Sequence, residues 1–244
     1  MFEHIPKEQE SFTPNEIAEI FTSIINSEFG ESAKGWRVIV TKAASINVIA
    51  GEKLIKIPEN RKPVTISELR GLVAHEIGVH MLRSITGEET SLQILRTGLS
   101  DYYDSEEGLG KVMEQAVNGK YAESGVPYYT VAGLMHFDQK DFRETYEIMW
   151  RINYLKSSKS GEEVSEEKIS DTKDATYKAI LRMTRGTDKH PWFKDLAYYN
   201  GASKMWQYSE SASDDPEKFI FLLMGKSDIT NDTHRRIMLE TKSI

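Results

Sequence analysis

The chain has 244 residues, with 31 Lys+Arg against 38 Asp+Glu and a formal net charge of −7. That balance argues against nucleic acid or an anionic membrane surface as the main partner, and a hydrophobic content of 39 % is that of an ordinary soluble globule. With no Cys and six His, disulfide scaffolds, thiol nucleophiles and Cys-based metal sites are excluded, so any metal has to be held by His and carboxylate.

The first residues, MFEHIPKEQESF, are polar and acidic, and no run of about 18 apolar residues follows. The expectation is a cytoplasmic chain of one domain, with a sheet-bearing part over 1–87 and a helical part over 88–244. Thr13-Pro14-Asn15-Glu16 is a capping box with Pro at the first helical position, and it opens an amphipathic helix from Pro14 to Phe29. Trp36–Thr41, Ser45–Ala50 and Lys53–Ile57 read as short strands, the last two joined as a hairpin at Gly51-Glu52. A second capping box, Thr65-Ile66-Ser67-Glu68, starts a helix running through His75 and His80 towards Gly87. Helices are then expected over Glu106–Asn118, Asp141–Leu155, Thr172–Thr184, Asp195–Tyr208, Asp215–Leu223 and Asp232–Glu240. Between them, Lys156–Ser170 is a low-complexity loop rich in Ser, Lys and Glu. A small antiparallel sheet followed by many helices makes the fold class α+β.

The segment that carries chemistry is Leu72–Leu82, LVAHEIGVHML. Zinc-peptidase helices place two His four residues apart on one face. Here the spacing is five, which on a regular α-helix turns the two rings about 140° apart. His75 and His80 can share a metal only if the helix carries a π-type bulge, and Gly78 between them lowers the steric cost of one. An unbroken α-helix across His75–His80 would end the metal reading. A catalytic site also needs a third protein ligand. The next acids lie in DYYDSEE, where Glu106 or Glu107 can point at a neighbouring helix, although such residues also suit the first turn of a helix electrostatically. His136, His190 and His234 are spare metal candidates, and the aromatic stretch Trp192–Tyr208 reads as core and cleft wall. No Gly-rich phosphate loop or G-x-S-x-G elbow is present.

Three blocks, HEIGVHMLR (His75–Arg83), LRTGL (Leu95–Leu99) and EEGLG (Glu106–Gly110), resemble the metallopeptidase family of the microtubule-associated tyrosine carboxypeptidase. Its bacterial members are described as flavohaemoglobin expression-modulating proteins with a Gln-Glu-Gly-Leu-Ala motif. A further block matches, Arg185-Gly186 followed by KDLAYYNG, with Lys194, Asp195, Tyr198 and Gly201 in the shared places. The strands SINVIAGEKLIKI resemble the hairpin before the family's zinc helix, so the likeness spans about Gly35–Tyr208. It implies a zincin-like arrangement holding one zinc ion, with His75, His80 and Glu107, rather than Glu106, as ligands and Glu76 as the catalytic acid–base. For the substrate's terminal carboxylate the cationic candidates are Arg83, Arg96, Arg182, Arg185 and Lys194, of which Arg185 and Lys194 lie in the matching block, and Tyr198, Tyr199 or an Arg can supply a donor to the developing oxyanion. Members of the family are commonly longer at the N-terminus, which implies a reduced cleft wall here. Gly110 replaces the motif's final Ala and Phe193 its usual Thr, departures expected to touch substrate preference and not the ligands.

The activity implied is zinc-dependent removal of a C-terminal residue, possibly aromatic, from a peptide or protein tail. Two other readings keep the metal: a narrow-specificity endopeptidase, and a non-catalytic metal-stabilised binding module, which Glu76 argues against.

Overall fold

The computed structural model describes residues 1–121, 124–161 and 163–241. It is α+β, and it divides into two compact units, Met1–Ala122 with Asn200–Ile244, and Glu123–Tyr199.

In the first unit, a two-residue strand β1 (Ser11–Phe12) leads into α1 (Pro14–Phe29). Thr13 caps α1 reciprocally with Glu16, as the capping box predicts, and Ile17, Ile20, Phe21, Ile24 and Ile25 form its buried stripe. The three strands β2 (Arg37–Thr41), β3 (Asn47–Ile49) and β4 (Leu54–Pro58) pair in the order β2-β4-β3. The β3–β4 hairpin is present, with Lys53 left-handed at φ 50° closing its turn. The sheet is not purely antiparallel, however. β2 runs parallel to β4, with Arg37 opposite Leu54 and Thr41 opposite Pro58, so the sheet is mixed. The cause is the order of strands: the chain goes from β2 to the far edge at β3 and returns through the centre. Its centre, β4, buries Leu54, Ile55 and Ile57, whereas β2 and β3 bury no residue fully.

β5 (Val64–Thr65) pairs with β1 and passes directly into a long helical rod. The rod comprises α2 (Ile66–Leu72), a π-helical segment over Val73–Met81, and α3 (Leu82–Glu89). Gly87 does not stop it. It lies inside α3, where an added Cβ would come within 2.4 Å of the Leu95 backbone, so this glycine permits a close approach instead. The π segment is buried on nearly every side. Val73, Ile77 and Met81 enter a core with Phe12, Phe21 and Ile55, and Val79 enters a second with Leu109, Met205, Phe221 and Met238. Each such side chain contributes about 1.5–3 kcal/mol on burial. The second core is completed by α4 (Tyr102–Asn118), α8 (Ala197–Ser211), α9 (Pro216–Leu223) and α10 (Asp232–Glu240).

The second unit contains α5 (Val126–His136), α6 (Phe142–Ser157) and α7 (Glu166–Thr184), packed around Val131, Met135, Met149, Ile180 and Met183. α7 begins six residues earlier than Thr172, because Ser165 caps it, so the end of the low-complexity stretch is helix. Glu162 of that stretch lies outside the described residues. No described helix is long and apolar enough to cross a membrane.

Candidate metal centre

The five-residue spacing of His75 and His80 is resolved by backbone geometry. Both lie in the π-helical segment, whose wider turn returns residue i+5 to the face of residue i. Their Nε2 atoms stand 2.9 Å apart and the rings meet edge to face. Gly78 is not demanded by space, since an added Cβ would meet only ordinary contacts at 3.6 Å and beyond.

α4 supplies the third group. Glu107 lies 3.6 Å from His75 Nε2 through one carboxylate oxygen and 3.9 Å from His80 Nε2 through the other. One donor atom from each of His75, His80 and Glu107 falls within 4.8 Å of the others, and all three residues are buried. A tetrahedral ion with ligand distances of about 2.0–2.1 Å needs donors roughly 3.4 Å apart. The three separations straddle that value, so the group can hold a metal ion. Among the described residues it is the only such group of His and carboxylate.

The surroundings favour positive charge at this point. Burial alone would push the His75 imidazole down, but the neighbouring Glu107 carboxylate, the hydrogen bond to Glu114 and the charge of Glu76 raise it to about 10. Glu107 is pulled below the ordinary carboxylate range against its own burial, chiefly by the adjacent His75 imidazole and by the charge of His80.

Each His is also gripped at its far nitrogen. His75 Nδ1 lies 2.5 Å from Glu114 Oε1 and His80 Nδ1 lies 2.9 Å from Glu106 Oε1. Such outer carboxylates fix ring orientation and leave Nε2 free for a metal. Glu106 and Glu107 therefore take different places: Glu107 faces the gap between the Nε2 atoms and Glu106 stands behind His80. Glu114 was not foreseen, although Glu107, Gly110 and Glu114 repeat at i, i+3 and i+7 on one face of α4. Arg83 is no candidate for binding substrate, because it is 0 % exposed and paired with Glu106. Glu76 is buried beside His75 and has no hydrogen-bond partner among the described residues.

A family model, Microtubule-associated tyrosine carboxypeptidase, matches residues 3–235. The chain belongs to that family. No curated protein matches it closely enough to count as a relative. Two of the motif blocks shared with the tyrosine carboxypeptidase family meet in space, Gly108 of EEGLG lying against Gly201 of KDLAYYNG. The departure from the family motif at Gly110 bears on one His of the candidate group. An added Cβ there would lie 2.6–2.7 Å from the His75 ring atoms Cε1, Nδ1 and Nε2. Glu114 and Glu107 hold that ring in place, so Gly110→Ala is expected to weaken divalent-metal binding by about tenfold or more. A competition titration against a chromophoric chelator reads this, and an unchanged affinity would show that the ring has room to retreat.

The cationic block lies in the second unit. Asp195 is buried and receives Arg182 through Nε and Nη2 at 3.2 and 2.9 Å, with Arg185 Nη2 at 3.7 Å. Arg182 Nη2 also donates to the Tyr198 hydroxyl at 3.2 Å. Arg182, rather than Arg185, makes the bidentate contact. Lys194 lies in the turn between Trp192 and Ala197. The aromatic stretch is less buried than expected for core, since Trp192, Tyr199 and Trp206 keep 55, 42 and 44 % exposure. Of the spare His, His234 is buried and its Nδ1 accepts from the Asp228 N–H at 3.1 Å, a structural use, while His136 packs edge-on against Phe137 and Phe193.

Proposed function

We propose that this chain is a zinc-dependent, zincin-like metallopeptidase of the carboxypeptidase kind, which removes the C-terminal residue of a peptide or protein tail. The observation that carries the reading is the convergence of His75, His80 and Glu107 across a π-helical turn, beside an unpartnered Glu76. Two His and one carboxylate from the protein are the ligand set of a hydrolytic zinc site, which keeps a further position open. Zinc bound there would lower the pKa of its water towards about 7 and polarise the scissile carbonyl.

The protein's own part follows from residue chemistry. Glu76 follows a ligand in sequence without joining the ligand group, and its carboxylate is at hand to take the proton of the attacking water and return it to the leaving amine. Glu107 and the outer carboxylates Glu106 and Glu114 keep the two imidazoles oriented. Arg185 and Lys194 are assigned to the free terminal carboxylate of the substrate, with Tyr198 as a further donor. This assignment rests on the motif resemblance and on the suitability of guanidinium and ammonium groups for carboxylates.

The test combines metal analysis with a peptide library varied at its last residue. One zinc per chain and release of single C-terminal residues are expected, lost on chelation and restored by zinc. Cleavage at internal bonds would favour the endopeptidase reading. A protein that binds no zinc, or that cleaves equally well after chelation, would sink the proposal.

A further inference from the structure

The two imidazoles are supported unequally. Glu114, behind His75, is half-buried and also receives the half-buried Lys111 at 2.9 Å. Glu106, behind His80, is 2 % exposed and carries two buried cations of its own. Arg83 Nη1 donates to its Oε2 at 2.5 Å and Lys226 Nζ donates to its Oε1 at 2.6 Å.

The placement of Lys226 is built into the backbone. Its N–H donates to the Leu95 carbonyl at 2.8 Å, and its own carbonyl accepts from the Leu99 N–H at 2.9 Å. Gly225 before it is at φ 103°, a conformation that L side chains rarely adopt. Arg83 is anchored likewise, its Nη2 donating to the Ser227 carbonyl at 2.9 Å. Desolvating two cations for one carboxylate, next to a site that binds another cation, is a costly arrangement for stability alone. It fits a carboxylate that has to stay fixed and unable to turn towards the metal.

We propose that Glu106 is the positioning residue of His80, clamped by Arg83 and Lys226. Its Oε1 accepts from His80 Nδ1–H, which fixes the tautomer and leaves Nε2 as the donor to the metal. The clamp also explains which of two adjacent glutamates binds: both Glu106 oxygens are engaged by cations, so Glu107 alone is available. This inference rests on the metal reading of the site.

The test uses the full chain, with zinc affinity measured by chelator competition and the absorption spectrum of the cobalt-loaded protein. Thermal stability of the metal-free protein is recorded alongside. Glu106→Gln keeps shape but not charge, and is expected to weaken zinc binding about 10–100-fold and to alter the cobalt spectrum. If that variant does not fold, the Glu106→Gln/Lys226→Met pair removes one cation together with the carboxylate, and the same loss of affinity is expected. A folded variant that binds zinc within threefold of wild type, with the cobalt spectrum unchanged, overturns the proposal even if its stability falls. A wild-type chain that binds no zinc overturns the metal reading itself, and the wild-type arm separates that result from the first.

Discussion

Replacing Glu76 by Gln is expected to lower the rate of peptide hydrolysis by about 10²–10⁴-fold while leaving the metal bound. In barrier terms this is roughly 2.7–5.4 kcal/mol, the range in which a positioned general base works. Gln has the shape of Glu and cannot take a proton. The side chain is free for proton transfer, since among the described residues no hydrogen bond ties it to the protein. Its charge does help hold positive charge at His75, so a modest loss of metal affinity should accompany the change. The fall should therefore appear in kcat with KM nearly constant, the pattern of an interaction made in the transition state. His80→Ala, which removes one member of the candidate metal group, should lose metal and activity together. Hydrolysis within tenfold of wild type by a metal-loaded Glu76→Gln protein would rule Glu76 out as the base.

How much of this was legible in the sequence differs from element to element, for physical reasons. α1 was fully legible, because its start is written in Thr13, Pro14 and Glu16 and its buried face in Ile17, Phe21 and Ile24. The π segment was legible through an inconsistency: two His five apart cannot share a metal on a regular helix, so the metal reading of that spacing required the distortion. The parallel pairing of β2 with β4 left no local trace, because a five-residue strand has the same apolar pattern whichever way its neighbour runs. Val126–His136 formed a helix that no pattern announced. Its sequence, VPYYTVAGLMH, is apolar on most sides and rich in Tyr, Val and Thr, which weakens both helical periodicity and helix propensity, and Pro127 was the usable signal. Lys226 was out of reach altogether. It meets Glu106 from 120 residues away, and a buried Lys on a loop has no sequence signature.

Gly201→Ala is expected to destabilise the first unit by about 2 kcal/mol or more and to weaken metal binding with it. Intrinsic propensity points the other way, since Ala is better than Gly in a helix by about 0.8–1.0 kcal/mol. Sterics decide the sign. An added Cβ at Gly201 would stand 2.0 Å from the Asp104 carbonyl oxygen and 2.8 Å from the Gly108 nitrogen, and one at Gly108 would stand 2.1 Å from the Gly201 carbonyl carbon. All of these atoms are backbone, so no flexible side chain can swing aside and the two helices have to separate. Overpacking of a well-filled interior costs about 1–3 kcal/mol, occasionally more, and a clash between two helix backbones belongs at the upper end. At about 2–4 °C per kcal/mol for a protein of this size, the melting temperature should fall by roughly 4–12 °C. α4 carries Glu106, Glu107, Gly110 and Glu114 within its span, so a displaced α4 carries Glu107 and both outer carboxylates away from His75 and His80. Metal affinity should therefore fall in parallel with stability, and Gly108→Ala should reproduce both effects. A melting temperature and a metal affinity both equal to wild type in Gly201→Ala would mean that the crossing of α4 and α8 is looser than the close backbone approach requires.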